Sequence, residues 1–561
     1  MKLYTPEGEA LRGQPWTAYP RPQFRREGWV NLNGEWEFTV SPKKECPEIF
    51  DRRIRVPFPP ESLLSGVHET FPEDRYLFYR RTFTLPAGFR KDRVLLHFGA
   101  VDQRAAVCLN GTLLGEHTGG YQPFAFDITD HLQEENTLTV RVEDHLSDHV
   151  LPYGKQCRKR GGMWYTPVSG IWQTVWLESV PERYIGSLRI RTGEDYVEFH
   201  TQALDGTVTI ETPEGPLEVP LKEGFARAEL KNPRLWSPED PYLYRAALRA
   251  GEDTVFTYFA LRTLTIGRVD GIPRLLLNGK PYFFHGLLYQ GYWSDGLFTP
   301  AAPECYEQDI LAMKRLGFNT LRKHIKVEPE QFYYDCDRLG MIVFQDFVNN
   351  GDYSFLRDTA LPTLGLKRRK DKHLHKDPRT RSAFLIHMEQ TVEQLYNHPC
   401  VCYWTIFNEG WGQFDSTAAY RHLKALDPTR FVDSASGWFT GGESDVVSEH
   451  VYFKPFRPRK TAKPLILSEF GGYDLKIEGH AFNVEKEYGY RHFEDQERFE
   501  TALLELYENE IVPAIPQGLC GAIYTQVSDV EDETNGLLTY DRKVTKVTAE
   551  PMQRLAEKLK I

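Results

Sequence analysis

The chain is 561 residues long, 41% hydrophobic and 26% charged, with a net charge of −11. That length exceeds what one hydrophobic core usually supports and predicts two to four domains. The acidic balance argues against a nucleic-acid partner, and no apolar run approaches the roughly 18 residues of a membrane span.

Residues 1–182 read as all-β. Short alternating or aromatic runs recur, among them Trp36–Val40, Val94–Phe98 and Ala106–Leu109, with turn signals at Asn33-Gly34, Asn110-Gly111 and Gly119-Gly120. Asn-Gly between apolar runs is a strong hairpin signal, and the spacing predicts a β-sandwich. Residues 183–267 form a second β stretch, alternating at Tyr196–His200 and Thr207–Ile210, whose length suits a seven-strand immunoglobulin-like sandwich. Over residues 268–561 the pattern changes. Leu311, Met313 and Leu316 lie in a helical stretch that Gly317 ends, and Phe318–Leu321 follows as a strand. A helix over Glu328–Leu339 is ended by Gly340, and Met341–Phe344 follows. Repeated, that rhythm belongs to a parallel sheet, and this length fits one (β/α)8 barrel.

Two apolar runs in this last region carry the chemistry. Val401-Cys402-Tyr403-Trp404-Thr405-Ile406-Phe407 leads to Asn408-Glu409, and Pro464-Leu465-Ile466-Leu467-Ser468 leads to Glu469. Unbroken apolar runs suit strands buried on both faces, and barrels place their chemistry at the carboxyl ends of such strands. Two carboxyls meeting in one pocket are what glycosidic bond cleavage needs.

The eight cysteines are scattered, and the one close pair, Cys400 and Cys402, has no second cluster to complete a zinc site; reduced, buried thiols are expected. The 13% aromatic share is expected to lie mostly in the core. The start, from Met1 to Glu9, lacks the apolar core of a secretory signal, so the cytoplasm is the expected compartment.

The chain resembles the β-glycosidases of glycoside hydrolase family 2. The matching residues are Leu32–Trp36, Val56-Pro57-Phe58, Leu109-Asn110-Gly111, Gly119–Phe124, Val168–Glu178, Leu235–Tyr244, Leu277–Pro281, Gly317–Arg322 and both glutamate motifs, in order. The resemblance implies a jelly-roll sugar-binding domain, an immunoglobulin-like domain and a catalytic TIM barrel. It further implies a retaining mechanism on a terminal β-linked sugar, a small glycoside as the partner, and a homo-oligomer.

By that resemblance Glu409 matches the general acid/base and Glu469 the nucleophile, Asn408 the residue at the sugar's 2-hydroxyl, and Tyr452 the tyrosine bonded to the nucleophile. Arg322 is the expected cationic neighbour of Glu469, while Trp404, Phe407 and Trp411 are the expected surroundings of Glu409. His324, His450 and Asp346 fall at strand ends; Asp346 is expected to meet sugar hydroxyls, and the two histidines either do the same or are structural. Trp404, Trp411 and Trp438 are candidates for the pocket floor, with the core as the alternative for Trp404, which lies inside its strand. Departures from the pattern bear on specificity. Uronic-acid-cleaving members carry Asn-x-Lys after the last strand, where this chain has Glu533 and Asn535. Glu533 is expected to repel a carboxylate and accept bonds from neutral hydroxyls, which favours a β-galactoside; a β-glucuronide or galacturonide, a β-mannoside or an arabinopyranoside are the alternatives, and a non-catalytic carbohydrate-binding protein is the reading from a different class. Gln345–Gly351 lacks the metal-binding Glu and His of the large β-galactosidases, so no metal or other cofactor is expected. The basic stretch Lys367–Lys372 is expected to be a solvated loop, with a rim attracting anionic substrates as its functional alternative.

Overall fold

The computed structural model describes residues 2–363 and 371–561. Most of the basic stretch, Lys367 to Lys370, lies outside the described residues.

The first region is a sandwich of two antiparallel sheets. Six strands run in the order Arg52–Val56, Gly34–Ser41, Tyr76–Phe83, Asn136–Glu143, Arg104–Leu109 and Thr112–Thr118; four run Trp29–Asn31, Val175–Val180, Arg93–Phe98 and Phe124–Asp127. Alternate residues such as Trp36, Phe38, Leu96, Phe98, Val140 and Leu177 fill the space between them. The next region is a smaller sandwich of three strands on four, seven in all, around Val197, Phe199, Val208 and Leu248.

Eight parallel strands then form the barrel: β1 (Phe284–Tyr289), β2 (Thr320–Lys323), β3 (Ile342–Asp346), β4 (Val401–Thr405), β5 (Phe431–Asp433), β6 (Val447–Val451), β7 (Leu465–Gly471) and β8 (Leu519–Thr525). Their order in the sheet is 5-4-3-2-1-8-7-6. Every residue of β1, β2, β3, β4, β5, β7 and β8 is buried, as the unbroken apolar runs require. Among the described residues no strand ladder joins β5 to β6, although the Asp445 amide, just before β6, donates to the Val432 carbonyl of β5 at 2.9 Å. Side chains cross the gap further along: Ser436 Oγ lies 3.1 Å from Ser448 Oγ, 2.9 Å from Ser468 Oγ and 2.9 Å from His450 Nε2.

The αβ rhythm shows in α1 (Glu304–Arg315) and α2 (Glu330–Leu339). Helix α2 ends at Gly340 with φ +72°, and a Cβ there would sit 2.5 Å from the Pro238 carbonyl, so both conformation and space call for glycine. The middle domain anchors on the same helix, where Trp236 Nε1 donates to the Asp337 carbonyl at 2.7 Å and the Tyr258 hydroxyl to its carboxylate at 2.8 Å. From the first domain, the Tyr153 and Gly154 amides donate to the Asn349 carbonyl, just past β3, at 3.0 and 3.4 Å. A first-domain loop therefore lies across the carboxyl ends of the barrel strands.

All eight cysteines are free thiols, but the expectation of burial needs correcting for three. Cys46 is exposed, and Cys108 and Cys157 are half-buried.

Candidate active site

Glu409 stands four residues beyond the end of β4 with φ +49°, in the left-handed region that non-glycine residues rarely adopt. Its amide donates to the Ser436 carbonyl at 2.9 Å, which ties this turn to the segment after β5. Glu469 lies within β7, where the register with both β6 and β8 shifts. Such bulges re-aim side chains beside active sites. The two acids point to one place. His450 Nδ1 is 2.8 Å from Glu409 Oε1 and 3.5 Å from Glu469 Oε2, and these three groups lie within 4.8 Å of one another.

The two acids have unequal partners. Arg322 Nη1 donates to Glu469 Oε1 at 3.0 Å, and the Tyr452 hydroxyl donates to Oε2 at 2.5 Å. Burial alone would raise the Glu469 pKa. His450, Arg322 and His324, with the Tyr452 hydrogen bond, outweigh it and hold the carboxyl near 2. Burial also lifts the Tyr452 phenol well above its usual range, so it meets Glu469 as a neutral donor. Arg322 is the hub of this wall. It also donates to Asn408 Oδ1 at 2.8 Å, to the Ser468 carbonyl at 3.0 Å, and from Nε to both Asp346 oxygens at 3.0 and 3.1 Å. The Asn408 amide nitrogen is left to donate elsewhere.

Several expectations need correcting. Asp346 is 1% exposed, with one oxygen bound to Arg322 and the other to Arg322 and His324 Nδ1 at 2.7 Å, so it braces those two side chains from behind the pocket. His450 has both ring nitrogens engaged, by Glu409 and Ser436, and spans the acids instead of meeting a sugar hydroxyl. Trp404 and Phe407 face the helices: Trp404 Nε1 donates to Asp427 at 2.8 Å, and Phe407 stacks on Phe384. Of the three aromatics expected around Glu409, only Trp411 remains on the pocket side. Trp438 lies 5.9 Å from His450, centroid to centroid. His324 is pushed down to about pKa 4 by burial and is neutral, with Nε2 away from Asp346.

The first domain supplies residues that spacing alone does not reveal. Trp164 stacks on Trp411 at 5.3 Å, and Tyr353 packs edge-on against both. The Tyr165 hydroxyl donates to Glu533 Oε2 at 2.5 Å, and Gln526 Nε2 donates to the same oxygen at 2.9 Å. Tyr490 stacks on Tyr452 at 4.0 Å, and Tyr488 contacts Glu533 through a backbone bridge.

Glu409, His450 and Glu469 are close enough to converge on one small cation, as are Asp474, Glu487 and His492 near the surface. In the first set the Arg322 guanidinium and Tyr452 hydroxyl already hold Glu469, a donor set suited to proton exchange more than to a metal. Among the described residues, no helix is long and apolar enough to cross a membrane.

Comparison with known proteins points to one family along the chain. The family model "Glycosyl hydrolases family 2, TIM barrel domain" covers residues 270–560; models for the family's galactose-binding-like domain and for "Glycosyl hydrolases family 2" cover 69–159 and 187–262. A β-galactosidase of Thermoanaerobacter pseudethanolicus is 25% identical over 69% of this chain, and a β-glucuronidase of Felis catus 27% identical over 75%. The chain spans 52% of the first relative's length and 70% of the second's. Among solved structures, the β-D-glucuronidase of Dictyoglomus thermophilum superposes with a TM-score of 0.74 at 19% identity, covering 96% of this chain and 98% of that one. A β-galacturonidase of Eisenbergiella tayi gives 0.69 at 18% identity, covering 97% and 98%. With a barrel model matching over half its length and two further models in the expected order, the chain belongs to glycosyl hydrolase family 2.

Proposed function

We propose that the protein is a retaining exo-β-glycosidase, with Glu469 as nucleophile and Glu409 as general acid/base. The observation that carries this reading is the convergence of the two carboxyls with His450 within 4.8 Å. Retaining sites hold their carboxyls roughly 5–5.5 Å apart, whereas inverting ones leave room for a water between them. Glu469, kept ionised by Arg322 and His450, attacks the anomeric carbon while Glu409 gives its proton to the departing oxygen. Glu409 then takes a proton from water, whose oxygen displaces Glu469 from the sugar. Asn408, fixed by Arg322, offers its amide to the 2-hydroxyl, a contact that strengthens in the transition state. No step calls for a cofactor. The first-domain loop closes one side of the barrel mouth, which suits removal of a terminal sugar.

The glycone is either galactose, favoured by the missing Asn-x-Lys pair, or a uronic acid, the substrate class in the names of the structural relatives. They differ at C5, hydroxymethyl in one and carboxylate in the other. The reaction itself is tested by trapping with a 2-deoxy-2-fluoro glycoside and peptide mapping, expected to label Glu469. Glu409→Ala should slow glycosides with poor leaving groups by about 10²–10⁴-fold while sparing the first step of activated aryl glycosides. Labelling elsewhere, or an effect of Glu409→Ala indifferent to leaving-group acidity, would overturn the assignment.

A further inference from the structure

Among the described residues, four lysines are buried: Lys155, Lys323, Lys326 and Lys546. Three of them are fully served. Lys323 meets Glu328 at 2.9 Å and the carbonyls of Tyr289 and Gln290. Lys326 meets Glu328 at 2.8 Å and the carbonyls of Gly291 and Phe298. Lys546 meets Asp529 at 2.7 Å and the carbonyls of Leu475 and Thr534. The ammonium of Lys155, a residue 8% exposed, makes no salt bridge and no hydrogen bond to any described residue; it sits 5.4 Å from the centre of the Tyr165 ring, while the Lys155 carbonyl accepts from the Tyr165 amide at 3.0 Å. A ring face is a weak partner for an ammonium that has no anion beside it.

Its position points to what completes it. Lys155 follows Tyr153 and Gly154, whose amides are bonded to the Asn349 carbonyl at the mouth of the barrel, and a Cβ on Gly154 would lie 2.8 Å from the Ile325 carbonyl. The loop therefore rests directly on the segment just past β2 that carries His324, and His324 feels the Lys155 charge. In the proposed reaction the leaving group departs toward Glu409, two residues before the Trp411 that stacks on Trp164. Lys155 lies instead against Tyr165, in the loop that rests on the segment after His324, which assigns it to the glycone in that reaction. Glu533, which meets the same Tyr165, is occupied at Oε2 by Tyr165 and Gln526.

We propose that Lys155, supplied by the first domain, takes the place of the missing clamp lysine and pairs with the carboxylate of a terminal β-linked uronic sugar. This rests on the glycosidase reading and selects between its two glycones. The charge arrives from a different domain than the Asn-x-Lys position, so the C-terminal loop is free to carry Glu533. A charge-assisted pair in a dry pocket discriminates strongly against an analogue that lacks the anion.

The test uses the full chain with the 4-nitrophenyl β-glycosides of galacturonate, glucuronate, galactose and glucose. The wild type is expected to show about 10²-fold higher kcat/KM on one uronide than on its matching hexoside. Lys155→Met should lower kcat/KM on that uronide about 10²-fold more than on the hexoside, mainly through KM, and Lys155→Arg should restore part of the preference. Preference of the wild type for a hexoside, or equal losses on both sugars in Lys155→Met, would overturn the assignment while leaving the glycosidase reading in place. Failure to cleave any of the four, with no label at Glu469 from a fluorosugar, would overturn both.

Discussion

On the strand side of the pocket, Arg322 reaches Glu469, Asn408 and Asp346 within 2.8–3.1 Å, and Tyr452 closes on Glu469 at 2.5 Å. On the loop side, Lys155 has an aromatic face and no anion. The strand wall is electrostatically complete before any ligand enters, which is how a nucleophile is kept ionised and aimed. The loop wall holds a charge with no anionic partner among the described residues, which is how a site keeps affinity in reserve for an incoming group. Preorganisation and recognition thus sit on different domains.

The largest effect expected on the complete wall comes from Glu469→Gln. Loss of the nucleophile should cut kcat by about 10⁴-fold or more on every glycoside. The same variant bears on acid stability. The folded-state pKa of Glu469 is depressed to about 2, against roughly 4.3 for an unfolded glutamate. Its contribution is therefore full above about pH 4.3 and is lost as pH falls toward 2. Unfolding followed across that window should show a shallower slope in Glu469→Gln than in the wild type; equal slopes would mean the wall is not holding this charge.

A smaller but large effect is expected deeper in the mouth. Glu328→Gln removes the one carboxylate shared by Lys323 and Lys326. Leaving two buried ammoniums uncompensated should cost about 3–5 kcal/mol in denaturant unfolding. The smallest effect sharpens the contrast. Lys155→Met strips no buried anion of its partner, so stability should change by less than about 1 kcal/mol or rise. A loss as large as that of Glu328→Gln would mean that Lys155 is part of the packing and not held for a ligand.

The sequence made the architecture and the acids legible for a physical reason: strands buried on both faces must be apolar, and the breaks after Val401–Phe407 and Pro464–Ser468 therefore stand out. Arg322 and Tyr452 could be named because motifs fix their strand ends. What could not be read was direction. Asp346, His324 and Arg322 come from adjacent strand ends, and only coordinates reveal that they satisfy one another, leaving little of Asp346 for a sugar. Trp404 and Phe407 stood near Glu409 in sequence yet face Asp427 and Phe384, because the strand turns them outward. Lys155, Trp164 and Tyr165 meet barrel residues far along the chain, and no periodicity reports such contacts. The missing Asn-x-Lys pair pointed to a neutral sugar; a charge approaching from another domain leaves no trace in that motif.

The unpaired edges of β5 and β6 give the catalytic centre an unusual dependence. Where other neighbouring strands are laced by a ladder of amides, this seam relies also on three hydroxyls and an imidazole, and that imidazole touches Glu409, the proposed acid/base. Closure of the cylinder and the poise of its proton donor are thus one hydrogen-bonded circuit, so a serine several bonds from any sugar can tune turnover without moving a strand.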